Sequence, residues 1–265
     1  MIKQSSTGPI GFFDSGLGGL TILSEVHRIL PNEQLIYLAD SNNAPYGKKS
    51  KDEIIALSIK NTEKLLDLGC KIIVVACNTA TTNAIKQLRE TYNIPFIGIE
   101  PAIKPAALNS KTDKVGVLAT KGTLSSELFS VTSKKFKTTQ FIEVEGIDLV
   151  EIVESGELTK AIPLVEKYLS IMMKAGVDSI VLGCTHYPML IPIIKTFLPQ
   201  NIALIDSGEA VAKQTKNVLE LKDIRNTKSN KKKHIIYSNG NNIAVLSNFL
   251  KQLKIKPYQI KKEAF

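Results

Sequence analysis

The nine residues VVACNTATT, Val74 to Thr82, join a run of apolar side chains directly to a polar turn. The apolar run contains no turn-forming residue, which is typical of a buried parallel strand. Cys77, Asn78 and Thr79 then fall on the turn that leads from this strand into a helix. Open α/β folds bind ligands at the carboxyl edge of the sheet, so a thiol is predicted at the ligand-binding edge.

The same pattern returns as IVLGCTHYP, Ile180 to Pro188, where an apolar run again ends in a cysteine and a threonine, here Cys184 and Thr185. Between and around these segments, predicted strands alternate with predicted helices. Such alternation favours a doubly wound parallel sheet. The matched cysteines predict two similar α/β units, with a pocket between them that receives one thiol from each.

A second repeat also suggests two similar units, because DSG occurs at Asp14 to Gly16 and again at Asp206 to Gly208. Chain order predicts a first domain made of residues 1–98 plus 207–265. The predicted second domain is the intervening segment, residues 99–206.

Two helices are predicted with bounds that can be compared with the structure. One follows the first strand and covers about Leu17 to Leu30, and the other covers Thr159 to Lys174. The residues before Ile10 are expected to be disordered.

The composition, with 265 residues of which 43% are apolar, is that of a globular protein with a sizeable core. Three cysteines are too few for a disulfide framework and indicate a reducing compartment. Their spacing does not match a zinc site, so no metal is expected. No segment resembles a signal peptide or a membrane span of about 18 apolar residues, so we expect a cytoplasmic protein without a membrane partner.

The net charge of +9 raises the question of nucleic-acid binding. The lysines are dispersed, however, and the densest basic run is Arg225 to His234. We interpret this run as a solvated loop between a helix and a strand, with binding of an acidic partner as the alternative. Nucleic acid is therefore not an expected partner.

Two further turns carry candidate ligand-binding residues. The turn DSGLGG begins with Asp14 and Ser15, and its glycines let a ligand approach the backbone. Asp14 could equally be an ordinary helix N-cap. The loop SNNAPYGKKS holds Pro45, Tyr46 and Gly47, which are either substrate contacts or part of an ordinary surface turn.

Two thiols that face each other across a pocket can remove a proton from one face of a carbon and return a proton to the other face. Such a pair racemises a stereocentre when each sulfur lies about 3–3.5 Å from it, which places the sulfurs on the order of 7 Å apart. A disulfide cannot form over that separation. Helix N-termini beginning after Asn78 and after His186 are expected to stabilise the thiolate form.

Several polar side chains could assist these thiols. His186 lies two residues beyond Cys184 and could exchange a proton with it, or simply cap the following helix. Asp14 and Glu154 are the carboxylates expected near the thiols as orienting or proton-shuttling groups. No lysine occupies a position that requires a Schiff base with a cofactor. Short side chains that could bind the carboxylates of an acidic amino acid are Asn78, Thr79, Thr123 and Thr185.

Six motifs, in the order FFDSGLGG, ADSNNAPYG, VVACNTATT, IGIEPAIKPA, VGVLATKGT and IVLGCTHYPML, closely resemble the glutamate racemase family of bacterial cell-wall synthesis. The resemblance runs from about Ile10 to Ala212. It implies two pseudo-symmetric α/β domains with the active site in the cleft between them. It also implies cofactor-independent interconversion of L- and D-glutamate by two bases, which supplies D-glutamate for peptidoglycan. Similar proteins are often dimers, so a homodimer is expected.

By motif position, the resemblance makes Cys77 and Cys184 the catalytic pair, with Cys77 acting on D-glutamate and Cys184 on L-glutamate. Asp14, His186 and Glu154 match assisting residues, although the segment EVEGIDLVEIVESGE around Glu154 departs from the family pattern. The residues expected to bind substrate are Asp14, Ser15, Pro45, Tyr46, Gly47, Cys77, Asn78, Thr79, Thr123, Cys184, Thr185 and His186.

Two alternatives to a glutamate racemase are considered. A related racemase acting on aspartate or another amino acid is one, because paired cysteines define the reaction better than the side chain of the substrate. A binding protein for acidic metabolites, or an inhibitor of a DNA-acting enzyme, is the other, and only the net charge of +9 supports it. The short N-terminus lacks the extension that binds a cell-wall precursor as activator in some relatives, so regulation by that route is not expected.

Overall fold

The computed structural model describes residues 7–228 and 232–265. The predicted disorder at the start of the chain falls largely on residues 1–6, which lie outside the described residues, as does the centre of the predicted basic loop. The strands are β1 (Ile10–Asp14), β2 (Leu35–Ala39), β3 (Ile72–Val75), β4 (Phe96–Gly98), β5 (Lys114–Ala119), β6 (Gln140–Glu145), β7 (Ser179–Gly183), β8 (Ala203–Ile205), β9 (His234–Ser238) and β10 (Tyr258–Lys262).

The helices alternate with these strands along the chain. The α-helices are α1 (Leu20–Ile29), α2 (Lys51–Asp67), α3 (Asn78–Thr91), α4 (Ile103–Asn109), α5 (Lys121–Leu124), α6 (Glu127–Ser133), α7 (Leu149–Ser155), α8 (Ile162–Lys174), α9 (Ile191–Phe197), α10 (Gly208–Leu221) and α11 (Ile243–Gln252). Short 3-10 helices cover Ser41–Asn43, Tyr46–Lys48, Leu158–Ala161 and Tyr187–Leu190.

The strands form two sheets in which every pairing is parallel. The first sheet has the order β10-β9-β2-β1-β3-β4, and the second has the order β6-β5-β7-β8. Four neighbouring strands of the first sheet therefore follow the same order as the second sheet, with β1 matching β5 and β3 matching β7. The prediction of a parallel α/β fold with two pseudo-symmetric units is confirmed.

Both faces of the first sheet are covered, as a doubly wound sheet requires. Alternate residues of β3 belong to different buried clusters, with Ile72 and Val74 in one cluster and Ile73 and Val75 in another. Parallel strands buried on both faces are apolar at every position, which explains why this strand was recognisable as an unbroken apolar run.

The repeat of DSG does not belong to this internal symmetry. Its first copy begins at the last residue of β1, whereas its second copy, Asp206 to Gly208, follows β8. The strand equivalent to β1 is β5, and β5 is followed by Thr120 rather than by DSG. The interpretation of DSG as a sign of two similar units was therefore wrong, although the cysteines do follow equivalent strands.

The strands of the first sheet come from residues 10–98 and 234–262, and those of the second sheet from residues 114–205. The proposed domain boundaries, after residue 98 and after residue 206, fall between these groups and remain a proposal. Among the described residues, no helix is both long enough and apolar enough to cross a membrane.

Two predicted helices begin later than the sequence suggested. The first begins at Leu20 instead of Leu17, because the backbone after Asp14 forms a loop that packs on other elements. The second is interrupted, since a 3-10 turn precedes α8 and Pro163 lies in the first turn of that helix. Proline is tolerated at a helix start but not inside a helix, so the α-helix begins next to it.

A pair of histidines links α1 to the amino-terminal end of β9, at the edge of the first sheet opposite the carboxyl ends of its strands. His234 is 3% exposed, and its Nδ1 accepts a hydrogen bond from the backbone N–H of Leu35 over 3.2 Å. The proton of the neutral ring therefore lies on Nε2, which donates to Nδ1 of His27 over 3.2 Å. Burial, and then the charge of His27, lower the pKa of His234 to about 4.

This pair predicts a loss of stability in mild acid. The unfolded state takes up a proton near pH 6.5, whereas folded His234 stays neutral until about pH 4. Neutral His234 therefore contributes about 3 kcal/mol to the free energy of unfolding above its unfolded pKa of 6.5, and this contribution is lost as the pH falls from there toward about 4. Urea unfolding at pH 7.5, 6 and 5 should show a flatter decline of the unfolding free energy for His234→Gln than for wild type. Equal slopes would contradict the assignment.

Candidate active site

The two predicted cysteines line one cavity between the two sheets. Cys77 is the N-cap residue of α3, and Cys184 follows β7 directly. Both side chains are almost fully buried, at 4% and 6% exposure. The cavity is small, with a volume of about 10 Å³. Two larger cavities, of about 590 and 530 Å³, are lined by neither cysteine.

Most of the residues predicted to bind substrate lie in the wall of the same cavity. These are Ser15, Pro45, Tyr46, Gly47, Asn78, Thr79, Thr185 and His186, and the wall also includes Thr120 and Val150. Asp14, Thr123 and Glu154 stand behind this wall and contact residues that form it.

Strand register explains why these residues meet. Phe13 of β1 pairs with Val75 of β3, so Asp14 and the cysteine after β3 emerge at one sheet edge. In the second sheet, Ala119 pairs with Gly183, which places Thr120 and Cys184 side by side. The carboxyl ends of both sheets thus supply the polar groups of the cavity.

On one side, Cys77 is surrounded by polar groups of its own unit. Its Sγ–H donates to Ser15 Oγ over 3.8 Å, and Sγ accepts from the backbone N–H of Ala80 over 3.5 Å. Burial raises the pKa of the Cys77 thiol well above its usual value, and the nearby charge of Asp14 raises it further. The helix N-terminus lowers the pKa, as predicted, but burial outweighs it, so Cys77 is a thiol in the free protein.

Asp14 is fully buried beside this thiol. Its Oδ2 accepts from the backbone N–H of Gly19 over 2.9 Å and from Tyr37 OH over 3.5 Å, whereas Oδ1 has no partner among the described residues. Burial is the largest effect on the pKa of Asp14 and raises it, while the charge of His186 lowers it. An unpaired buried oxygen next to a thiol is suited to accept a proton from that thiol or from a ligand.

On the other side, Cys184 begins a chain of three side chains. Its sulfur lies 3.7 Å from Nδ1 of His186, and Nε2 of His186 lies 2.6 Å from Oε1 of Glu154. Burial lowers the pKa of His186, but hydrogen bonds and charge interactions with Cys184 and Glu154 outweigh burial and raise it well above its usual value. The geometry is that of a thiol, a base and an orienting carboxylate.

This chain assigns the protons of His186. A histidine with a raised pKa carries a proton on Nε2, which donates to Glu154, so Nε2 does not accept from the backbone N–H of Gly18 at 3.3 Å. The second ring proton then lies on Nδ1 and faces the sulfur of Cys184. The sulfur of Cys184 therefore faces the positive charge of the imidazolium.

The glycines of DSGLGG allow the loop to press against this relay. A Cβ atom at Gly16 would overlap the carboxylate of Glu154, and one at Gly18 would overlap the ring of His186. The backbone N–H of Leu17 donates to Glu154 Oε1 over 2.5 Å. These glycines therefore serve close packing between the two units, in addition to any contact with a ligand.

The cavity also contains polar side chains that could bind a ligand. Asn78 is 3% exposed, and neither atom of its amide has a partner among the described residues. The hydroxyl groups of Thr79, Thr120 and Thr123 lie within 2.9 to 3.3 Å of one another and join the two units. An unpaired buried amide is costly, which favours a bound polar partner in the functional state.

Tyr46 closes another part of the wall and is held from behind. Its OH donates to Asp40 Oδ2 over 2.5 Å and accepts from Asn61 Nδ2 over 3.1 Å. Burial, followed by the charge of Asp40, raises the pKa of Tyr46 well above its usual value, so this residue is a neutral wall of the cavity.

Sequence reasoning missed several residues of the site. Thr120 lies within the motif VGVLATKGT, but it was not among the residues expected to bind substrate. Val150 and Tyr37 are part of apolar patterns, and nothing distinguishes them from core residues. Ser41 and Asn242 contact Glu154 only because distant loops meet in the folded chain.

Comparison with known proteins shows the family of this chain. The sequence model of the Asp/Glu/hydantoin racemase family matches residues 19–215. A glutamate racemase of Herpetosiphon aurantiacus is 47% identical over 221 residues, which cover 82% of this chain and 87% of that protein.

Two solved structures have closely similar folds. Escherichia coli glutamate racemase, in complex with L-glutamate and the activator UDP-MurNAc-Ala, superposes with a TM-score of 0.84 and 29% identity, covering 96% of this chain and 97% of that one. Francisella tularensis glutamate racemase, in complex with D-glutamate, superposes with a TM-score of 0.84 and 28% identity, covering 98% of each chain. The chain belongs to the Asp/Glu/hydantoin racemase family and, within it, to the glutamate racemases.

Proposed function

We propose that this protein interconverts L- and D-glutamate without a cofactor, and that Cys77 and Cys184 exchange protons with opposite faces of the α-carbon. The observation that carries the proposal is the single cavity lined by both cysteines, one from each parallel sheet. The glutamate complexes of the similar proteins from Escherichia coli and Francisella tularensis support glutamate as substrate.

In the direction from L- to D-glutamate, Cys184 acts as the base. Its sulfur anion, paired with protonated His186, takes the α-proton, and the Cys77 thiol donates a proton to the opposite face. The products are D-glutamate, a protonated Cys184 and a Cys77 thiolate. The reverse direction uses the same groups in opposite protonation states, and Asp14 is placed to return a proton to Cys77 or remove one from it.

Burial of both sulfurs contributes to the reaction. Removing water from around a thiolate leaves it less solvated and strengthens its interaction with the acidic hydrogen of a bound amino acid. The high pKa of Cys77 makes its anion a strong base, so this anion is expected only during turnover.

The amide of Asn78 is the best candidate for a direct contact with substrate, because it is buried and unpaired. Together with the hydroxyls of Thr79 and Thr185, it offers short donors to the carboxylates of glutamate.

The wider role follows from the family. We infer that the D-glutamate produced supplies peptidoglycan synthesis in the cytoplasm and that the protein acts as a homodimer. Analytical ultracentrifugation of the purified protein tests the oligomeric state.

Substrate choice is tested by circular dichroism with L- and D-glutamate and with L- and D-aspartate. We expect the signal of either glutamate enantiomer to decay to zero, at a rate at least a hundredfold above that for aspartate. A pocket that fails to place an additional methylene group correctly loses about 1–3 kcal/mol per group in discrimination, and misplaced carboxylates lose more. Equal or faster racemisation of aspartate would contradict the assignment to glutamate and favour the related aspartate racemases.

A further inference from the structure

Asn242 directs its side chain toward the relay behind Cys184 instead of toward its own helix. It directly precedes α11, a position where an asparagine side chain commonly accepts a hydrogen bond from the first turn. No such capping bond is present. Instead, Nδ2 of Asn242 donates to Oε2 of Glu154 over 2.8 Å.

The orientation of this amide is determined by chemistry. The opposite orientation would place the amide oxygen against a carboxylate oxygen, which is repulsive. In the orientation present, Oδ1 of Asn242 is buried and has no partner among the described residues. The Nδ2 donor of Asn242 therefore bonds to Glu154, while α11 has no side-chain cap and the buried Oδ1 acceptor stays unpaired. Both features cost free energy.

Glu154 depends on this donor because its two oxygens have separate roles. Oε1 accepts from Leu17 N–H and from His186 Nε2. Oε2 faces Asn242 and, more distantly, Ser41 Oγ at 3.5 Å. A carboxylate held at both oxygens has one orientation, and that orientation sets the plane of the His186 ring.

The loop that carries Asn242 is braced against the cavity wall. Asn239 Nδ2 donates to Asp40 Oδ1 over 2.5 Å, and Asn239 also pairs with Asn42 through two hydrogen bonds. Asp40 in turn accepts from Tyr46, which lines the cavity. The loop after β9 is therefore fixed relative to the site, which makes Asn242 a rigid donor.

We propose that Asn242 is a positioning residue of the racemase, which holds Glu154 so that Glu154 orients His186 against the sulfur of Cys184. This inference rests on the proposed function and extends the site to the C-terminal segment of the chain. Asn242 itself touches neither sulfur. Its effect is therefore confined to the half of the reaction in which Cys184 exchanges a proton.

The test compares Asn242→Ala with the neighbouring Asn241→Ala. Asn241 is exposed. Within the described part of the chain its side chain has one hydrogen-bond partner, Lys262, so its replacement is the matched control. We expect Asn242→Ala to lower kcat/KM roughly ten- to a hundredfold, which is typical of residues that orient a reacting group through an intermediate side chain. Asn241→Ala should leave kcat/KM within about twofold of wild type. The loss of kcat/KM must be equal in both directions, because the ratio of the two kcat/KM values equals the equilibrium constant between the enantiomers, which is one.

Primary deuterium isotope effects separate positioning from a general structural defect. If transfer at Cys184 becomes slower, the effect on kcat/KM with L-[2-²H]glutamate should rise, because that transfer then limits the rate. The effect with D-[2-²H]glutamate should fall toward one, because its labelled hydrogen moves at Cys77. A variant that merely folds less well loses active protein and leaves both isotope effects unchanged.

Asn242→Asp supplies a second variant of nearly the same shape. It places a carboxylate against Glu154, and the pair can share a proton at lower pH. The activity of this variant relative to wild type should therefore rise as the pH is lowered from 8 to 6, whereas the ratio for Asn242→Ala should stay flat.

Unchanged isotope effects in Asn242→Ala, or a flat pH ratio in Asn242→Asp, would overturn the inference while racemisation by wild type would still support the proposed function. A wild-type protein that does not racemise glutamate would overturn both. These outcomes are distinguishable within one set of assays.

Discussion

Cys77→Ala and Cys184→Ala are each expected to reduce glutamate racemisation more than 10⁴-fold in both directions. Each direction needs one thiolate and one thiol, so removing either sulfur removes either the base or the acid. Losing an assisting acid or base costs about 10²–10⁴-fold, and losing a group that carries the proton itself should exceed this range. Circular dichroism with either enantiomer measures the rate.

Cys70 provides a matched control for these substitutions. It is also buried, but it lies outside the cavity, and burial raises its pKa to about 12, so it remains a thiol. We expect Cys70→Ala to keep activity within a few-fold of wild type. Near-normal turnover in either Cys77→Ala or Cys184→Ala would refute the two-thiol mechanism.

His186→Asn and Asp14→Asn are expected to lower kcat/KM by about 10²–10⁴-fold without abolishing it. His186 pairs with Cys184, whereas Asp14 lies beside Cys77, so each variant impairs proton transfer at a different sulfur. Both residues act next to the reacting sulfur and do not themselves carry the α-proton. A residual rate that exceeds that of the cysteine variants is therefore part of the prediction.

Two substitutions outside the cavity serve as controls for this pair. Asp206→Asn changes the aspartate of the second DSG copy. Among the described residues, the hydrogen-bond partner of its carboxylate is the backbone N–H of Gly208. His27→Asn changes a histidine of α1 that accepts a hydrogen bond from His234, so it also controls for a loss of stability outside the cavity. Both controls should retain wild-type activity. Loss of activity in a control equal to that in Asp14→Asn or His186→Asn would indicate general destabilisation.

The pH dependence of Asp14→Asn adds a qualitative check. Burial raises the pKa of Asp14 above its ordinary 3.8, so its carboxylate is lost at a higher pH than that of an exposed aspartate. Wild-type kcat/KM should decline on the acid side as this proton is taken up, and the same decline should be absent in Asp14→Asn.

The sequence was sufficient to predict the positions that follow strand ends. Parallel strands that are buried on both faces appear as unbroken apolar runs, and the residues after them must lie at the carboxyl edge of the sheet. Cys77 and Cys184 were recognisable for this reason, and the structure places both in one cavity. The assignment of their roles rests on resemblance to a family.

Other features depend on contacts between distant segments and left no local signal. Asn242 looks like an ordinary N-cap, and only the folded chain shows its amide on Glu154. The repeat of DSG was misleading, because a short motif can recur at strands that are not equivalent. The late start of α1 was missed, because the glycine loop before it packs against residues more than a hundred positions away.

Proton NMR can follow the exchange of the α-hydrogen of each enantiomer in D₂O. This measurement tests whether the two sulfurs exchange protons with opposite faces of one carbon. A variant with a single sulfur can remove and replace the hydrogen of one enantiomer only. Cys184→Ala should therefore exchange D-glutamate but not L-glutamate, Cys77→Ala should exchange L-glutamate but not D-glutamate, and neither should interconvert them. Exchange of both enantiomers by either variant, or of the same enantiomer by both variants, would contradict the mechanism.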